Sequence, residues 1–266
     1  MNFSSTFKTI LKGLLIGASA AIPGINATTS IALTGLYDNT ILSLRHLNHK
    51  KSWSFLLIIG CSILAGILLL SPLVDTAITN YPRPAYLFLM GLIIGALPRV
   101  FYHRKKELRP TLSKLLIFAI FCGILLALHF SPDISDTVST PRQVTSLLFL
   151  SGIISGITLI IPGTTSSIPL TIMGSYQLLH ETIQTLSPSL LLLTIPGILI
   201  GLILSILLMS LAITHYRAHT HYAILGLLVG ILPKFWPGLA PDFSSLIAIL
   251  LGGIGIAIGY HLQDPA

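Results

Sequence analysis

Apolar runs dominate this chain, and short basic or polar connectors separate them. Residues 53–73, 114–130, 190–213 and 243–262 are each apolar and long enough to span a bilayer, which takes about 20 mostly apolar residues, with about 17 as the lower limit. Runs 85–97 and 223–232 fall short unless their flanks extend them. Regions 9–44 and 144–183 are too long for one helix and too broken for two ordinary spans. In both, Pro-Gly interrupts the apolar pattern and a polar stretch follows. Each half of the chain therefore reads as a broken helical hairpin, a long helix, a short helix and a long helix.

The interruption is written twice. Gly17, Pro23, Gly24, Gly35 and Tyr37 recur as Gly156, Pro162, Gly163, Gly174 and Tyr176, all at an offset of 139 residues. A second block, Gly91, Gly95, Pro98 and Arg99, returns as Gly226, Gly230, Pro233 and Lys234 at an offset of 135, and Phe101 and Trp236 follow at matching positions. Two matched blocks in the same order mark an internal duplication. We read residues 1–266 as one membrane domain with halves 1–143 and 144–266.

Composition agrees, since hydrophobic residues are 53% of the chain and charged ones only 9%, against roughly 25% charged in soluble domains. The net charge of +7 does not point to nucleic acid, because the basic residues sit in short loops. They form three clusters: Lys8 and Lys12; Arg45, Lys50 and Lys51; and Arg104, Lys105, Lys106, Arg109 and Lys114. The positive-inside rule puts these on the cytoplasmic side. The N-terminus is then cytoplasmic, region 9–44 is a re-entrant hairpin, and three crossings follow. Three is odd, so the second half is inverted: hairpin 144–183 enters from outside and the C-terminus returns to the cytoplasm. Only Arg83, Arg142 and Lys234 then face outward. An alternative in which every hairpin arm spans fully, with ten crossings, keeps the same loops inside.

Lys8, Lys12 and the small residues Ala18-Ser19-Ala20 resemble a signal peptide, but the segment has a mid-chain counterpart and is expected to stay. Cys61 and Cys122 lie inside apolar runs and are too few for a disulfide framework.

The chemistry concentrates at the breaks. Proline lacks a backbone N–H and glycine is a poor helix former, so Pro23-Gly24 and Pro162-Gly163 should each end one arm. Unpaired backbone at membrane depth is tolerated only inside protein or along a wet cavity. The residues that follow are cap formers: Asn26, Thr28, Thr29 and Ser30 in one copy, Thr164, Thr165, Ser166 and Ser167 in the other. Helices restarting there aim N–H groups and positive dipole ends at the break, an arrangement suited to phosphate or carboxylate. The plainer reading is that they cap kinks or bond between helices. Their recurrence at two repeat-related tips favours a substrate site, since paired interrupted segments mark transporter binding sites.

Arg99 and Lys234 each follow proline at the expected end of a short helix, one toward each face, where a cation could meet an anionic headgroup. Snorkelling at the interface is the alternative. Asp38 and Glu181 follow Tyr37 and Tyr176 near the far ends of the second hairpin arms, where acids could carry protons; an interfacial place is the expected one, with the tyrosines in an aromatic belt. His215, His219 and His221 lack a metal-ligand spacing and read as a pH-sensitive loop. No nucleophile set, glycine-rich nucleotide loop or paired carboxylate is visible, so neither an enzyme nor a cofactor is expected.

These same residues resemble the PopT family of polyprenyl-phosphate transporters. Family hairpins carry Pro-Gly-Val-Ser-Gly-Gly-Thr and Pro-Gly-Ile-Ser-Gly-Ser; here they stand as Pro23-Gly24-Ile25-Asn26-Ala27-Thr28-Thr29 and Pro162-Gly163-Thr164-Thr165-Ser166-Ser167. The resemblance covers both halves. Departures mark a divergent member: Ala20 stands where the family has an acid, and Gly-x-Tyr-Glu becomes Gly35-Leu36-Tyr37-Asp38 and Gly174-Ser175-Tyr176-Gln177. The resemblance implies an all-α, multi-pass protein of a bacterial inner membrane. It implies return of undecaprenyl phosphate from the outer to the cytoplasmic leaflet, and the sequence leaves open whether a proton, sodium or no coupling ion drives the cycle. A carrier of a small soluble anion and an intramembrane lipid-phosphate enzyme are the rival readings.

Overall fold

A computed structural model describes the backbone of residues 3–19, 22, 25–102, 110–129, 141–184, 188–238 and 243–262; a few side chains in this set, including those of Arg99, Arg142 and Glu181, lie outside the description. Among the described residues every regular element is helical. The first half contains α1 (Phe3–Ala18), α2 (Ala27–Leu33), α3 (Tyr37–Arg45), α4 (Lys50–Asn80), α5 (Pro82–Tyr102) and α6 (Leu112–His129). The second repeats the order with α7 (Pro141–Thr158), α8 (Ser167–Ile172), α9 (Tyr176–Gln184), α10 (Pro188–His215), α11 (Arg217–Gly230) and α12 (Phe243–Leu262), plus a 3-10 turn at Leu232–Phe235. The basic loop at 103–109 and the connector at 130–140 lie outside the described residues.

Among the described residues, three helical stretches, Lys50–Asn80, Leu191–His215 and Phe243–His261, are long and apolar enough to cross a membrane, and shorter apolar helices cover Pro82–Pro98, Leu112–Ala127 and Thr145–Thr158. The 31 residues of α4 rise about 46 Å at 1.5 Å each, well beyond a hydrocarbon core of about 30 Å.

Run 85–97 is extended on both sides. Pro82 opens α5, a position where its missing N–H costs nothing, and the helix continues through Pro98 to Tyr102. This corrects the expectation that Pro98 ends the helix: Arg99 lies within α5. A helix that satisfies its own backbone has more to lose by stopping in an apolar setting than by tolerating one proline. In the second copy α11 does stop, at Gly230, and Pro233 lies in the 3-10 turn.

Apolar side chains face outward and small polar ones inward. Leu57, Leu64, Leu68, Leu69 and Leu73 are exposed along α4, as are Leu192 and Ile203 on α10 and Phe243 and Leu250 on α12. Thr28, Thr29, Ser30, Ser151 and Ser175 are buried. Such a surface suits lipid as solvent and not water.

With little hydrophobic drive between helices in lipid, close backbone contact must hold them, and small residues permit it. The main helix pairs are α1 with α4, α7 with α10, α5 with α12 and α6 with α11. Each runs on glycines spaced four apart. A methyl at Gly17 would overlap the Ile63 carbonyl of α4, one at Gly201 the Ile153 carbonyl of α7, and one at Gly95 the Ile256 carbonyl of α12. Gly226 meets the Phe118 carbonyl of α6 in the same way. The first two pairs lie within one half each. The other two cross between halves, so α5 and α6 both find their partners in the second copy.

Gly201→Leu should therefore cost about 3 kcal/mol or more by forcing α7 and α10 apart. Gly60 on α4 has open space where a side chain would go, and Gly60→Leu should stay within about 0.5 kcal/mol of wild type. Thermal melts in detergent compare the two, and equal melts would refute backbone contact as the source of helix pairing.

Candidate functional site

After its short inner helix, each broken hairpin turns on a left-handed glycine. Gly35 has φ +74° and Gly174 φ +66°, which side-chain-bearing residues rarely adopt. After α2, the Gly35 N–H donates to the Ala32 carbonyl at 3.1 Å and the Leu36 N–H to the Ile31 carbonyl at 3.1 Å. After α8, Gly174 and Ser175 repeat the pair to Thr171 and Leu170, both at 2.9 Å. Both are Schellman caps, which explains why this glycine stands in both copies.

The two breaks differ in how they are built. In the first, Pro23 and Gly24 lie outside the described residues. Asn26 takes an extended conformation and caps α2. Its Oδ1 accepts from the Thr29 N–H at 2.7 Å and from the Thr29 hydroxyl at 2.6 Å. In the second, Pro162 and Gly163 are buried. Gly163 has φ +80°, and Leu227 of α11 lies where its side chain would be. Ser166 caps α8 in a helical conformation, with no side-chain bond to the helix.

The breaks meet, and the meeting is one-sided. Asn26 Nδ2 donates to the Thr164 carbonyl at 2.8 Å and the Thr158 carbonyl at 3.2 Å. The Thr28 hydroxyl donates to the Leu159 carbonyl. Tyr37 Oη donates to the Ile160 carbonyl at 3.0 Å. Thr29 Oγ1 accepts the Gly163 N–H at 2.8 Å. Side chains of the first hairpin thus satisfy backbone of the second. Breaking α7 at Thr158 orphans these carbonyls, and a buried orphan must find a partner. The apolar core around this crossing draws Ile16, Ile31, Tyr37, Ile41, Ile160, Ile213 and Leu228 into one cluster.

The candidate residues accordingly divide. Asn26, Thr28 and Thr29 come together with Gly163 and Thr164 and spend polar atoms between hairpins. Ser30 lies against Ser19, oxygen to oxygen 2.5 Å apart. Thr164 reaches the Ile161 carbonyl at 2.8 Å. Thr165 and Ser167 hydroxyls lie 3.0 Å apart, and with Ser166 they are only half-buried. Lys234 is exposed, but its neighbour Phe235 is buried with Ile22 and Ile25, on either side of the first break. The Arg99 side chain lies outside the described residues.

Tyr37 is buried, which corrects its expected place in an interfacial belt: its hydroxyl is needed at Ile160. Tyr176, its repeat equivalent, is 40% exposed. Asp38 stands in the first turn of α3 and not near the end of the arm. It faces α11, with Oδ2 3.4 Å from Arg217 Nη2 and 3.6 Å from His221 Nε2. Sequence reading missed this contact, and no local pattern announces it.

Thr29→Val should cost about 1–3 kcal/mol, because it leaves the Gly163 N–H buried without its acceptor. Ser167→Ala should cost less than about 0.5 kcal/mol. Chemical melts of both variants test the difference; equal stabilities would remove Thr29 from its structural role.

Comparison with known proteins places these observations in a family. Residues 16–245 match the family model VCA0040-like, described as undecaprenyl phosphate translocase-like. A protein of Vibrio cholerae serotype O1 named polyprenyl-phosphate transporter is 29% identical over 260 residues, covering 89% of this chain and 79% of the relative. One of the same name from Staphylococcus aureus is 27% identical over 262 residues, covering 92% of this chain and 93% of the relative. No solved structure matches the chain. With its broken helices, outward apolar faces and this match along most of its length, the chain belongs to the VCA0040-like family of undecaprenyl phosphate translocase-like proteins.

Proposed function

We propose that this protein carries undecaprenyl phosphate from the outer to the cytoplasmic leaflet of a bacterial inner membrane, for reuse of the carrier lipid. The observation that carries the reading is the pair of broken hairpins meeting inside an apolar shell. A lipid with one small anionic head needs a short polar path for the phosphate and an apolar exterior beside which its tail can stay in the bilayer. The half-buried hydroxyls of Thr165, Ser166 and Ser167 are the groups of the second tip that face the headgroup. Pro162 shapes the second tip, Asn26, Thr28, Thr29, Gly163 and Thr164 hold the hairpins together, and Ser30 ties α2 back to Ser19. Arg99 and Lys234 stand toward opposite mouths.

In this reading the halves are inverted repeats with re-entrant hairpins, both termini are cytoplasmic, and a proton or sodium gradient supplies direction. The relatives' name supports a polyprenyl phosphate as cargo. Catalysis has no part in the cycle.

Cells depleted of the protein, in a background lacking redundant transporters, should accumulate undecaprenyl phosphate on the outer face. An impermeant headgroup-specific probe reads this, and re-expression should reverse it. Unchanged outer-leaflet levels would turn the reading toward a soluble anion. Thr165→Val combined with Ser167→Val should lower transport at least about tenfold, a change worth about 1.4 kcal/mol, with the protein still folded.

A further inference from the structure

Asp38 and Arg217 are 179 positions apart in sequence and meet where α3 and α11 begin. Their contact is poor. One guanidinium nitrogen, Nη2, reaches one carboxylate oxygen at 3.4 Å. A well-formed arginine–carboxylate pair uses two parallel bonds at about 2.7–2.9 Å. Arg217 Nε is buried and, among the described residues, has no hydrogen-bond partner. The side chain is nonetheless 40% exposed and that of Asp38 20%, so a ligand can approach.

His221 adds a second donor. Its Nδ1 lies 2.7 Å from the Arg217 carbonyl, which can only accept, so Nδ1 carries the hydrogen. Nε2, the other ring nitrogen, lies 3.6 Å from Asp38 Oδ2. Two groups of α11 thus face a single carboxylate, which leaves Arg217 poorly met.

We propose that Arg217, assisted by His221, binds a phosphate monoester on the transport route, and that Asp38 occupies this site between substrates as an internal stand-in. A phosphate has three terminal oxygens and up to two charges, enough to engage Nε and Nη2 together and still reach His221. Displacing Asp38 acts at once on its neighbour Tyr37, whose hydroxyl holds the Ile160 carbonyl of the second break. Headgroup arrival is therefore tied to the contact between hairpins. The inference rests on the transport reading above as to which phosphate arrives; the site itself would take a lipid headgroup or free phosphate.

Binding to the full chain in phosphatidylcholine nanodiscs tests it, with farnesyl phosphate in one arm and inorganic phosphate in the other. Asp38→Asn should tighten farnesyl phosphate binding about tenfold, and Arg217→Gln should weaken it at least about tenfold. An ion pair that merely ties α3 to α11 predicts lower melting for both variants and no gain in affinity for either. Unchanged or weaker binding by Asp38→Asn overturns the proposal. Should that variant fail to fold, phenylglyoxal modification of Arg217 in the wild type, read by mass spectrometry, replaces it. Protection by farnesyl phosphate supports the site, and equal modification with and without it overturns the site. Gains for inorganic phosphate alone would keep the site and sink the lipid reading. Wild-type farnesyl phosphate binding that ignores both substitutions would do the reverse.

Discussion

An interrupted helix in an apolar environment must have its freed backbone groups satisfied by protein, and here one hairpin does this for the other. The carbonyls of Thr158, Leu159, Ile160 and Thr164 and the N–H of Gly163 all find side chains of residues 26–37. Water does the same work at a surface loop at almost no cost; inside a bilayer its substitute must be built. This explains the polar run after the first Pro-Gly, while α11 packs against Gly163 through Leu227. It also fixes the two hairpins to each other before any ligand is considered.

The duplication has consequently lost its symmetry at the place where symmetry would be easiest to keep. Tyr37 and Tyr176 follow equivalent left-handed glycines, yet one is buried against the other hairpin and one is 40% exposed. Thr29 is fully enclosed, whereas Thr165, Ser166 and Ser167 remain half-buried. The first copy has become the clamp and the second the clamped element. In the transport reading, this division leaves the second tip's hydroxyls, which among the described residues bond only to one another, to serve the headgroup.

Much of this was legible in the sequence, for reasons that are local. The glycines at 35 and 174 are demanded by a backbone angle, and the long apolar runs by the length of a span. The doubled Pro-Gly identified the breaks without any contact being known. Reading stopped where the answer depended on who meets whom. Nothing near Asp38 names Arg217, and nothing near Thr29 names Gly163. Pro98 misled because a rule drawn from isolated helices yields when stopping would orphan more backbone than continuing. Gly17, Gly91 and Gly95 stood out as repeat positions, while the helices they would meet did not.

The exchange of partners between halves bears on how the protein is made. The glycine face of α5 fits against α12, which leaves the ribosome about 160 residues later. At about 5–20 residues per second that is an interval of roughly 8–32 s. Throughout it, α5 must sit in lipid with a row of bare backbone that α12 later covers. The packing of the first half therefore waits for the second.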